Sequence, residues 1–149
     1  MIKQKWIGSV FLGLGTILFS ALVFAQSGHI EQRQKLMKAN NADGKALKTA
    51  VSEKDYATIE LKAKDIAGNA DKIDGLFPKG STSDKSRALP AIWEKWDGFK
   101  QHASDLKKAA TELADAAAKK DAKLVDAKFK AVTGACGSCH NDFRAERKK

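Results

Sequence analysis

The chain has 149 residues, 43% of them apolar and 30% charged, with 27 lysines and arginines against 18 aspartates and glutamates, two cysteines and two prolines. That length suits one domain, and so many charges beside so few prolines exclude a disordered or collagen-like chain. The net charge of +9 is spread over every segment without interleaved aromatic residues, which argues for solubility and against a nucleic-acid partner.

Lys3 and Lys5 precede an uncharged run from Trp6 to Ala25 that closes on Val23-Phe24-Ala25. A basic start, an apolar stretch and a small-residue exit describe a secretory signal over residues 1–25 and a periplasmic domain over 26–149. An uncleaved membrane anchor is the alternative, because about 20 apolar residues can span a bilayer. Residues 26–149 hold 22 alanines and only 26 larger apolar side chains. Set against a backbone entropy of ~1–2 kcal/mol per ordered residue, that is a thin core, and a large apolar cofactor would fill the deficit.

From there the pattern is helical. Ile30, Arg33, Met37, Asn40, Gly44, Leu47 and Val51 alternate steps of three and four, which places them on one helix face. Tyr56, Ile59, Ala63, Ile66, Ala70, Ile73 and Phe77 repeat the stripe. Ser52 with Asp55 three positions on resembles a capping box, so the break between these helices is short and the two run antiparallel. Both prolines fall in the Ser- and Gly-rich stretch 75–90, the one long connection. Pro90 suits the start of a third helix, whose stripe runs Ile92, Trp96, Phe99, Ala103, Leu106, Ala110, Leu113 and Ala117. A fourth carries Val125, Phe129, Val132, Cys136, Cys139 and Phe143. No segment alternates with period two, so the expected fold is all-α, an antiparallel four-helix bundle.

The only cysteines stand in Cys136-Gly137-Ser138-Cys139-His140. A disulfide would close too short a loop to remove much unfolded-state entropy, a redox dithiol would call for a strand-to-helix junction, and a zinc half-site would need a further ligand from His29 or His102. Covalent haem attachment accounts for the spacing. Two thiols three positions apart on a helix lie on one side, where each can add across one vinyl group, and the next imidazole reaches the iron as proximal ligand.

With these motifs the chain resembles the class II cytochromes c, whose fold is that of cytochrome c′. The likeness covers nearly all of residues 26–149. It includes the attachment motif continued by Asn141-Asp142-Phe143-Arg144, the first-helix string Arg33-Gln34-Lys35-Leu36-Met37-Lys38, and Leu76-Phe77-Pro78 and Ile92-Trp93 around the long connection. The resemblance implies a four-helix bundle with one covalent haem c and its iron near one end. It also implies that the branch turns on Met37, four residues after Arg33. Low-spin members use a methionine there as sixth ligand and carry electrons, whereas cytochromes c′ leave the distal side open and bind small gases.

The expected function is therefore a periplasmic monohaem electron-transfer protein, with thioethers at Cys136 and Cys139 and with His140 and Met37 on the iron. A five-coordinate cytochrome c′ binding nitric oxide or carbon monoxide is the alternative, with Met37 only packing over the haem face. A third reading is a haem-free helical interaction module with a cysteine switch. Arg33, on the inward stripe, needs an acceptor that a haem propionate would supply, and Arg144 should lie near the proximal imidazole. No nucleophile or acid–base pair lies on the inward faces, so the protein is not expected to be an enzyme. Its partners are a redox protein and, through the off-stripe Trp93, a second copy in a homodimer; a membrane enters only if the signal stays uncleaved. His102 is expected to be solvated.

Overall fold

Periodic apolar residues become helices wherever the sequence carries the stripe. In chain order these are α1 (Gly15–Glu53), α2 (Tyr56–Ala70), a single-turn α3 (Ala91–Glu94), α4 (Trp96–Ala118) and α5 (Ala122–Phe143). This computed structural model describes residues 15–146, with side chains from Gly28 onward; the expected export segment 1–25 lies outside the described side chains. Among the described residues no helix is long and apolar enough to cross a membrane.

The architecture is the expected antiparallel four-helix bundle, built on α1, α2, α4 and α5. Helix α4 is its middle member, packed against both α2 and α5, while α1 packs on α2 and meets α5 only over a short stretch. Composition explains that central place. Ala103, Ala109, Ala110, Ala114, Ala116 and Ala117 are all buried on α4, and small side chains on more than one face let two neighbours approach closely. The larger volume comes from Leu47, Ile59, Ile66, Ile92 and Leu113, all fully buried; each stabilises by about 1.5–3 kcal/mol.

Three boundaries differ from expectation. Asp55, not Ser52, caps α2: its carboxylate accepts from Thr58 N at 3.1 Å and from the Thr58 hydroxyl at 2.6 Å. Ser52 instead donates back to Thr49 O within α1, since a hydroxyl still inside the helix has its own turn's carbonyl in reach. Helix α2 ends at Ala70, and Ile73 and Phe77 stay buried from the turns that follow. Pro90 does open a helix, but Lys95 at φ −118° and ψ 47° interrupts it before α4. With that break Trp93 docks on the connection, its Nε1 donating to Phe77 O and Pro78 O, both at 3.0 Å. The expected dimer face is thus partly spent inside the molecule.

The connection is also tied to the chain's end. Leu89 N donates to Phe143 O and Ala145 N donates to Arg87 O, so residues 87–89 close the bundle beside the last turn of α5.

Candidate functional site

Helix α5 places Cys136, Cys139 and His140 on one wall of a cleft of about 480 Å³, and α1 contributes Met37 and Asn40 to another wall. Of the long-helix pairs that touch, α1 and α5 touch least, and this cleft lies between them. Periodicity is the reason: steps of three and four keep all five residues on inward faces. Both cysteines are half-buried free thiols. Among the described residues no cluster of three or more histidines, cysteines or acids could hold a metal ion.

A second hollow of about 410 Å³ adjoins the first, sharing Met37, Asn41, His140 and Arg144 and adding Arg33 and Arg87. An apolar cleft that opens onto a basic end is the shape and charge that a flat apolar ring with carboxylates on one edge requires. The volume also lies within the ~300–1,000 Å³ of ordinary cofactor sites. The residues present therefore fit a haem c.

Burial sets the protonation of the three motif residues. It pushes the Cys136 thiol up, and it pushes Cys139 up to about 11, helped by the neighbouring Cys136 and Asp142 and opposed by Arg144. His140 moves the other way, held below the usual histidine range by burial and then by the charges of Arg144 and Arg87. The imidazole is therefore neutral near pH 7, with a lone pair available to a metal. Arg144 lines the same cleft as His140, as expected.

Arg33 is 4% exposed, and its donors are taken up inside the chain. Nη1 donates to Ser81 Oγ at 2.9 Å, and Nη2 donates to Ser81 O at 2.7 Å and to Ser86 Oγ at 2.6 Å. Its guanidinium carbon lies 4.7 Å from the centre of the Phe77 ring. The long connection thus supplies acceptors to both Nη groups, while Arg33 also lines the second hollow. Gly80, at φ 77°, supplies the turn that brings Ser81 inward.

His102 is only partly solvated. It lies half-buried on the cleft from α4, bonded to Asp142 Oδ2 at 3.1 Å and edge-on to Phe143. Arg87 and Asn69 were likewise missed; Asn69 Nδ2 donates to Asn40 Oδ1 at 2.8 Å across the α1–α2 interface. A stripe reading could have found His102, which directly precedes Ala103 on the inward face, but nothing local marks Arg87 or Asn69.

Compared with known proteins, residues 28–144 match the family model for cytochrome C′. Cytochrome c′ of Rhodopseudomonas palustris is 34% identical over 135 residues, covering 88% of this chain and 91% of the relative. Cytochrome c-556 of Agrobacterium tumefaciens is 34% identical over 125 residues, covering 81% of this chain and all of the relative. The crystal structure of cytochrome c′ from Thermochromatium tepidum superposes with a TM-score of 0.76 at 28% identity, covering 81% of this chain and 97% of that one.

Proposed function

The chain belongs to the cytochrome c′ family, and on that premise we propose that its bundle holds one covalent haem c through Cys136 and Cys139, with His140 as the proximal ligand of the iron. The observation that carries this reading is the cleft between α1 and α5, with both thiols and the neutral imidazole along a single wall. When bound, the haem supplies an iron able to exchange an electron or take up a diatomic ligand.

The chain's own residues prepare the site. Cys136 and Cys139 present protonated thiols to an apolar space. Each thiol would add across one vinyl group, forming one S–C bond and giving its hydrogen to the adjacent carbon, with nothing released. His140 brings a lone pair, and Arg33 holds the connection closed beside Phe77 on the basic side.

On the distal side the family match favours a position left open to nitric oxide or carbon monoxide, ahead of the electron carrier expected from Met37. Methionine ligation is the second reading, supported by the place of Met37 on the α1 wall of the cleft that His140 lines from α5. Export to the periplasm, with cleavage after Ala25, and a redox protein or second copy as partner complete the proposal.

Protein produced with haem-attachment machinery tests it. Haem should survive acid–acetone extraction, and the mass should be that of a chain beginning at Gln26 plus one haem. The ferrous form should be high-spin and bind carbon monoxide without displacing a ligand. Low-spin spectra in both oxidation states, with the weak far-red band of methionine on ferric iron, would transfer the distal side to Met37.

A further inference from the structure

Asn40 stands one helical turn beyond Met37 on the same α1 face and on the wall of the same cleft. Its amide is not free to rotate, because Asn69 Nδ2 of α2 donates to its Oδ1 at 2.8 Å. With the oxygen held toward α2, the Asn40 Nδ2 group is left as the unengaged end of the amide; it makes no hydrogen bond among the described residues, and it is not sealed from solvent. The rest of the α1 wall near Met37 offers no comparable fixed donor: Asn41, the next residue, is exposed and has no such clamp. A donor held in place beforehand loses little entropy when it finds an acceptor, which is how a binding site gains selectivity from a single polar group in an apolar setting.

We propose that Asn40 is the distal hydrogen-bond donor of this protein, its Nδ2–H directed to the outer atom of a diatomic ligand held on the distal side, and that Asn69 is the positioning residue that keeps it there. The inference rests on the haem-binding reading above and deepens it by naming what the chain itself offers the distal ligand. A diatomic that gathers negative charge on its outer atom, nitric oxide or dioxygen more than carbon monoxide, gains most from such a donor.

Carbon monoxide is the reporter, because its stretching frequency falls when its oxygen accepts a hydrogen bond and does not respond to global stability. The ferrous carbon monoxide complex of the holoprotein is compared with those of Asn40→Leu, Asn69→Leu and Gln32→Leu, the last an exposed α1 position that lines neither hollow. Asn40→Leu should raise the stretching frequency and weaken carbon monoxide about two- to tenfold, the span of one neutral hydrogen bond. Asn69→Leu, which leaves the donor but removes its clamp, should broaden or split the band, and Gln32→Leu should leave it unchanged. The same set is measured in a Met37→Leu background, which keeps volume but cannot ligate iron. If the parent takes up carbon monoxide only there, the open distal position is wrong and Asn40 is still judged on its band. An Asn40→Leu band coincident with its parent's in that background, or a shift caused by Gln32→Leu instead, overturns the assignment. A chain that binds no haem overturns the function and the inference together.

Discussion

Burial separates the two cysteines of α5 from ordinary surface thiols. Cys139 is pushed from 9.0 up to about 11, so in a haem-free chain its alkylation should reach half its limiting rate near that pH, about two units later than for an exposed thiol of the unfolded chain. The sign for stability follows. Between those values the unfolded chain has lost the proton and the folded chain keeps it, so stability falls as pH rises through that window. Thioether formation removes the titrating group, and the holoprotein should lose this alkaline slope; a slope that persists would place the thiol outside the attachment. Arg33 ties α1 to the long connection. Arg33→Met leaves Ser81 and Ser86 without their donor and should cost about 2–4 kcal/mol, read by denaturant unfolding. The inward position of Arg33 was legible in the stripe. Its acceptors were not, because they lie about fifty residues away, across a connection whose path no local rule specifies.

Each long helix declared itself by period, and the short first break and the long connection were legible too, but how the short links turn was not. Both short links turn through a left-handed lysine, Lys54 at φ 58° and Lys120 at φ 52°, where a glycine would have been the usual signal. A side chain there costs roughly 1–2 kcal/mol, of which glycine gives back about 0.5–1 in unfolded-chain entropy. Lys120→Gly should therefore raise stability by about 0.5–1 kcal/mol, visible as a higher denaturation midpoint at unchanged slope. The opposite effect is expected one residue on. Asp121 caps α5 by accepting from Leu124 N at 3.0 Å, and Asp121→Ala should cost about 1 kcal/mol. Because α5 carries the attachment motif, this cap supports the site from its far end. The interruption at Lys95 was hidden for a related reason: Ile92, Trp96 and Phe99 fit one helical stripe by spacing alone, and only the docking of Trp93 on Phe77 O and Pro78 O distinguishes a broken helix from a continuous one.

At the scale of the molecule, the thin core read from composition has a location. Helices α2, α4 and α5 pack continuously, whereas α1 holds to α2 and touches α5 sparsely, with the 480 Å³ cleft between. A chain without its cofactor leaves the apolar linings of that space facing water or a void, and each lost methylene contact weakens most the helix with the least other cover. That helix is α1, whose packing on α2 is less extensive than that of α5 on α4. Hydrogen exchange should therefore show, in the haem-free chain, α1 amides from Arg33 to Val51 losing at least about tenfold protection relative to the holoprotein, while α4 amides from Phe99 to Ala117 keep most of theirs. A haem attached to α5 and packed against α1 would then act as the fourth side of the bundle, and protection of α1 should return with haem loading. An equal loss in α4 would mean that the helices unfold as one cooperative unit, and that the cofactor supports the whole bundle and not the one interface it fills.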